Sequence, residues 1–243
     1  MHIHFIIHEH FEGPGAYLTW ARLNNHKITM TKLYEGETLP TAIDSIDLLI
    51  VLGGPQHPRT TTIDCPYFDA QAETQLIRQC VDQGKAVIGV CLGAQLIGEA
   101  LGQQFSHSPE KEIGVWPITL SPYGKENNKF KHFKDKLAVG HWHNDMPGIT
   151  TDAKIIAHSE GCPRQIVEYT NLVYGFQCHM EFTPELIELL ITNDRDNIVK
   201  NRDKRFIQSP EQLRVQNYTQ MNEALYTFLD QLAIDYLHSL NLK

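Results

Sequence analysis

Lys85-Ala86-Val87-Ile88-Gly89-Val90-Cys91-Leu92-Gly93-Ala94-Gln95 places a cysteine between two glycines where an apolar run gives way to a helical pattern. The run 85–90 is short, continuous and rich in Val and Ile, so it reads as a buried parallel strand, and Leu92 to Leu101 carries apolar residues at helical spacing. Cys91 therefore falls on a sharp strand-to-helix turn, with glycine relieving the crowding on each side. The N–H groups of the following helix are unpaired and its positive dipole end points at the thiol, an arrangement that favours thiolate and a developing oxyanion.

A nucleophile needs a base, and the base needs a group to orient it. In Leu172-Val173-Tyr174-Gly175-Phe176-Gln177-Cys178-His179-Met180-Glu181-Phe182-Thr183-Pro184-Glu185, a β-rich run leads to a helix start at Thr183 (N-cap) and Pro184 (first helical position). His179 and Glu181 are two apart, so in extended backbone both side chains share a face, and the carboxylate can hold the imidazole's tautomer.

Gly-Val-Cys-Leu-Gly-Ala-Gln at 89–95 followed by Gln-Cys-His-Met-Glu at 177–181 resembles the class I (triad) glutamine amidotransferases. Leu49-Ile50-Val51-Leu52-Gly53-Gly54-Pro55 is similar to that family's oxyanion loop, and Gly140-His141-Trp142-His143-Asn144-Asp145 to its His-Trp-His-Gly-Asp segment. Glu112-Ile113-Gly114-Val115-Trp116-Pro117 is a weaker match, and Glu12-Gly13-Pro14-Gly15 is similar to a segment of the free-standing branch related to the glutaminase domain of GMP synthase. The likeness runs from about residue 3 to about residue 190. Asn144 stands where the pattern has Gly, a tolerable exchange if that residue has positive φ, and Cys178 and Met180 stand where Phe and Pro are usual.

The resemblance implies a Cys91-His179-Glu181 triad that hydrolyses glutamine through a γ-glutamyl thioester, with Gly54 and Leu92 donating to the oxyanion. Gly53, Gln95 and the segment Trp142, His143, Asn144 and Asp145 would hold the substrate, with no cofactor. Hydrolysis of another γ-glutamyl amide or peptide uses the same residues, and a catalytically silent binding module keeping the fold is the alternative of another class. The implied partners are glutamine or another γ-glutamyl compound and a separate synthase subunit that takes the ammonia; a homodimer is the alternative use of the apolar stripe in the C-terminal tail.

The order of elements gives an α/β fold: strands near 2–8, 27–33, 46–52 and 85–90, with helices near 14–25, 67–83 and 92–102. Such alternation builds a three-layer, doubly wound, mostly parallel sheet of the flavodoxin-like kind, whose functional loops gather at the carboxyl ends of the strands. From about 113 to 178 shorter strands dominate, Val115 to Leu120, Lys154 to His158, Gln165 to Tyr169 and Leu172 to Gln177, a β-rich second half. Residues 1–193 read as this domain. Residues 194–243 read as a helical extension packed on it, with a charge-rich stretch at 194–210 whose basic residues form a solvated face. One helix then runs from Pro210 to about His238, with a core-facing stripe that includes Leu213, Leu225, Phe228, Ile234 and Leu237.

With 243 residues, 42% hydrophobic content and a formal charge of −8, the chain supports one substantial domain and no nucleic-acid footprint. It has no phosphate-cradling Gly-x-x-x-x-Gly-Lys-Ser/Thr and no apolar stretch long enough to span a membrane, and its five unframed cysteines predict reduced thiols in a cytoplasmic protein. Histidines 2, 4 and 8 share a strand face and His141 and His143 are two apart, but neither group has a cysteine or carboxylate at ligand spacing along the chain, so no metal is expected.

Overall fold

The structure, a computed structural model, describes residues 1–241; the last two positions of the expected C-terminal extension lie outside the described residues. Four strands form the parallel half of one sheet, β1 (His2–Ile7), β2 (Lys27–Lys32), β3 (Leu48–Val51) and β4 (Ala86–Val90), the last two buried throughout and β2 amphipathic at the edge. The second half holds β5 (Ser106–Leu120), β6 (Lys136–Met146), β7 (Lys154–His158), β8 (Ile166–Thr170), β9 (Val173–Phe176) and β10 (Phe206–Ile207). The sheet order is β10-β5-β7-β8-β9-β4-β3-β1-β2, with β6 paired to β5. β4 lies parallel between β3 and β9, whereas the pairings β5·β6, β5·β7, β7·β8 and β8·β9 are antiparallel. This is the α/β, doubly wound sheet that the alternation predicts.

Alternate residues of each parallel strand enter opposite layers, as a period of two requires. Phe5, Ile50 and Ile88 pack on one face with Tyr17 and Trp20 of α1 (Gly15–Leu23). Ile6, Leu49 and Val87 pack on the other face with Leu76 and Ile77 of α2 (Ala70–Asp82) and Leu96 and Ile97 of α3 (Leu92–Ala100). A short helix, α4 (Pro122–Glu126), leaves β5, and α5 (Pro184–Asn193) starts where Thr183 caps the Leu186 N–H at 3.3 Å.

Two expectations change. The second half is not made of short strands throughout: β5 has 15 residues and β6 has 11, and together they form a long hairpin. The tail is not one helix after Pro210. Following α6 (Arg195–Asn201), the short α7 (Pro210–Arg214) ends at Val215, which is 82% exposed, and α8 (Thr219–Leu240) starts anew. Leu213, Leu225 and Phe228 are fully buried, but Ile234 and Leu237 face solvent because the stripe turns away from the sheet near the helix end. The tail is tied to the rest of the fold by Trp20 Nε1 of α1 donating to Asp230 at 2.8 Å, the Tyr236 hydroxyl donating to Asp47 just before β3 at 2.9 Å, and β10 joining β5. No helix among the described residues is long and apolar enough to cross a membrane.

Candidate active site

Cys91 occupies the junction of β4 and α3 with φ 51° and ψ −106°. A non-glycine residue there carries about 1–3 kcal/mol of backbone strain, which persists only when its surroundings over-determine it. They do: its N–H donates to the Phe176 carbonyl at 2.7 Å, and the chain passes too close for side chains at the flanking glycines. A Cβ on Gly89 would stand 2.2 Å from the Gly93 carbonyl oxygen, and one on Gly93 would stand 2.0 Å from that of Val51. Glycine serves close approach at both positions, and the positive φ falls on the cysteine itself.

His179 follows β9 and is fixed by an antiparallel bridge to Gly140, with N–H to carbonyl distances of 2.8 and 3.0 Å. Its ring stacks on Phe182 at 4.5 Å, and Nδ1 lies 2.6 Å from the Glu181 carboxylate. Glu181 is itself held from the other side, its carbonyl accepting from the Ala16 N–H at 3.0 Å. Burial disfavours the imidazolium, but Glu181 and Cys91 outweigh it and raise His179 well above the usual histidine range. Its Nε2 is buried and makes no conventional hydrogen bond. The expectation of a thiolate favoured by the helix end is corrected: burial pushes the Cys91 thiol up, against the pull of His179 and the Leu92 N–H.

Cys91 opens into a cavity of about 490 Å³ lined also by Gly54, Gln95, Trp142, His143, Asn144 and Asp145. Its Sγ faces the Trp142 carbonyl at 3.8 Å. Gly53 packs against both Cys91 and His179, since a Cβ there would lie 3.5 Å from Cys91 Cβ and 3.4 Å from His179 Cε1. Gly54 abuts Leu92, whose N–H reaches the thiol. Gln95 is buried and donates to Gln177 at 3.3 Å. Asn144 is extended within β6, with no positive φ, so the exchange from glycine needs no special backbone.

The structure adds residues that the sequence reading did not assign to the site. Glu12 and Lys111 line the cavity, and burial pushes the Glu12 carboxyl up to about 7. His8, at the end of β1, donates to the Gly53 carbonyl at 3.0 Å and pairs with the buried Glu73 of α2 at 2.8 Å. Asp194 and Asn197, from the charge-rich tail, complete the rim, and Asp194 accepts from Trp142 Nε1 at 2.7 Å. The basic side chains at 195, 200, 202, 204 and 205 are exposed, as a solvated face requires. In the first strand, His2 and His4 both bond Thr29 Oγ1 at 2.8 Å, and burial, with His2 nearby, lowers His4 to about 4. His141 and His143 do acquire a carboxylate: Glu112, opposite them on β5.

Comparison with known proteins places the chain in a family. The family described as "Glutamine amidotransferase class-I" matches residues 19–195. The glutamine amidotransferase-like protein YfeJ of Salmonella typhimurium is 54% identical over 234 residues, 96% of this chain and 98% of that protein. The crystal structure of SMU.1228c superposes with a TM-score of 0.94 at 49% identity, covering 96% of this chain and 100% of that one. The GMP synthase [glutamine-hydrolyzing] of Candida glabrata is 31% identical over 137 residues, 56% of this chain but 24% of that longer protein. The chain belongs to the class-I glutamine amidotransferase family.

Proposed function

We propose that the chain hydrolyses the γ-carboxamide of glutamine to glutamate and ammonia, with Cys91 as nucleophile, His179 as acid and base, and Glu181 as the group that orients it. The observation that carries this reading is the strained Cys91 at the cavity floor beside a buried histidine whose Nδ1 is 2.6 Å from a carboxylate. His179 takes the thiol proton and the sulfur attacks the carboxamide carbon, while the Leu92 and Gly54 N–H groups receive the oxyanion. The tetrahedral adduct collapses as His179 returns its proton to the leaving nitrogen, giving ammonia and a γ-glutamyl thioester. Water then gives a proton to His179 and attacks the thioester carbon; collapse expels the Cys91 sulfur, which regains the proton. Gln95 and the strand Trp142 to Asp145 hold the α-amino and α-carboxylate ends.

The partial likeness to GMP synthase supports a separate synthase as the consumer of the ammonia. A second reading, hydrolysis of a larger γ-glutamyl amide or peptide, is favoured by the size of the cavity. At about 490 Å³, with a rim of Lys111, Asp194 and Asn197, it has room beyond a free amino acid. Purified protein assayed for glutamate release from glutamine and from a panel of γ-glutamyl amides separates the two. Turnover abolished by Cys91→Ala is the expected outcome. Absence of turnover on every compound, together with Cys91 alkylated by a glutamine-analogue chloroketone no faster than Cys65 or Cys162, overturns both and leaves the silent binding module.

A further inference from the structure

We propose that Glu112, His141 and His143 form a binding site for one divalent cation of the zinc type, which bolts the β5·β6 hairpin together behind the substrate wall. The antiparallel register sets Glu112 directly opposite His143, with His141 two residues along on the same face of β6. All three side chains are buried, with relative exposures of 0%, 0% and 5%. The donor atoms converge on one point. Glu112 Oε2 is 3.3 Å from His143 Nε2 and 3.6 Å from His141 Nδ1, and the two ring nitrogens are 3.4 Å apart. The point equidistant from the three lies about 2.0 Å from each, which is the bond length that zinc makes to imidazole nitrogen and carboxylate oxygen.

The surroundings suit a cation better than a closed hydrogen-bond network. His141 Nε2 donates to the Trp116 carbonyl at 3.2 Å, so its Nδ1 presents a lone pair to the cluster, the outer-layer arrangement that orients metal-binding histidines. That lone pair meets a carboxylate oxygen already accepting from Ser159 Oγ at 2.9 Å and Gln165 Nε2 at 2.6 Å. Glu112 Oε1, His143 Nδ1 and Gln165 Oε1 are buried with no partner. Turning the Gln165 amide over would exchange its donation to Glu112 at 2.6 Å for an oxygen at the position now 3.1 Å from His143 Nε2, as a fourth ligand when the cation is bound. Backbone room is reserved for the carboxylate as well, since a Cβ on Gly161 would stand 2.7 Å from Glu112 Oε1. The residue between the two histidines is Trp142, whose carbonyl faces Cys91 Sγ, so the cation would fix the strand that forms one wall of the cavity.

The test is metal stoichiometry of the untagged full-length protein, stripped with a chelating resin and reloaded with zinc or cobalt(II), before and after alkylation of Cys91. One equivalent retained in both forms is expected. With cobalt it should show the intense visible bands of tetrahedral coordination without a thiolate charge-transfer band. Glu112→Gln and His141→Gln should each weaken zinc binding at least 100-fold, while His2→Asn and His4→Asn leave it unchanged. Should the first two variants fail to fold, X-ray absorption on the zinc-loaded wild type decides, with two imidazoles and oxygen but no sulfur expected. The proposal is overturned by less than a tenth of an equivalent in the wild type, by metal lost on Cys91 alkylation, by sulfur in the coordination sphere, or by full retention in the folded Glu112 or His141 variant. None of these readouts depends on glutamine turnover.

Discussion

His8 and Glu73, 65 positions apart in sequence, form a buried pair at 2.8 Å directly behind the Gly53-Gly54 loop, and the other ring nitrogen of His8 donates to the Gly53 carbonyl at 3.0 Å. The loop to which the proposed mechanism assigns an oxyanion N–H is thereby anchored to α2 through one imidazole. Burial alone would keep His8 neutral, but Glu73 and the Gly53 carbonyl outweigh it and raise its pKa.

Removing that anchor should loosen catalysis before it unfolds the protein. His8→Asn is expected to lower kcat about 10- to 100-fold through misplacement of the loop. It should also cost about 3–5 kcal/mol of stability by leaving Glu73 buried without its partner. Because the folded pKa of His8 is raised, its contribution to stability is complete below the unfolded value near 6.5 and is lost as pH rises through the folded one. Urea midpoints at pH 6 and pH 9 should therefore show the wild type losing more between the two than Glu73→Gln does. Parallel pH profiles would remove His8 ionisation from the account.

Glu12 supplies a pH dependence of its own. Its carboxyl is pushed by burial from 4.5 up to about 7, so between those values the native state holds a proton that the unfolded chain has released. Stability is then greatest at the acid end of the window and falls as pH rises through it, by about 3 kcal/mol at most. Glu12→Gln should flatten this slope and raise the melting temperature at pH 8 relative to wild type. An unchanged slope in calorimetry from pH 5 to 8 would show that Glu12 ionises freely.

Strain at the nucleophile is measurable without any substrate. Cys91→Ala and Cys91→Gly both remove the sulfur, but only glycine accepts φ 51° and ψ −106° comfortably. The glycine variant should be the more stable by about 1 kcal/mol despite its greater unfolded-state entropy. Both should be inactive. Chemical denaturation of the pair gives the comparison, and an alanine variant equal to or more stable than glycine would mean that the elbow relaxes.

Gly140 tests the bridge that places His179, the proposed base. A Cβ there would lie 2.3 Å from Phe182 Cδ2 and 2.7 Å from the His179 carbonyl oxygen. Gly140→Ala should cost about 1–3 kcal/mol and reduce kcat more than it raises KM, because it moves the proton shuttle and leaves Gln95 in place. A variant with wild-type kcat would show that His179 does not depend on this contact.

The parallel half of the fold was legible because its strands are unbroken runs such as Leu48–Val51 and Ala86–Val90, and the elbow because glycines bracket Cys91. His179 and Glu181 were legible because they are local to each other. Glu112 was not legible as a partner of His141 and His143, since they meet only through the cross-strand register of β5 and β6. His8 and Glu73 escaped notice for the same reason, a contact made by tertiary folding between two unremarkable positions. In the tail, apolar spacing continued through residues 215–218, where the chain turns, and through Ile234 and Leu237, which face solvent; periodicity reports a face but not what covers it.

The hydrogen bond from Cys91 N–H to Phe176 has a consequence for biogenesis. One of the two neighbours of β4 in the sheet is β9, synthesised long after β4 has left the ribosome, and its Phe176 carbonyl accepts from the Cys91 N–H at the elbow. Until that late, long-range pairing closes, a nascent chain displays an ordinary relaxed cysteine. The proposed nucleophile and base are therefore assembled in one late step, since the strand that bonds Cys91 also leads directly to His179.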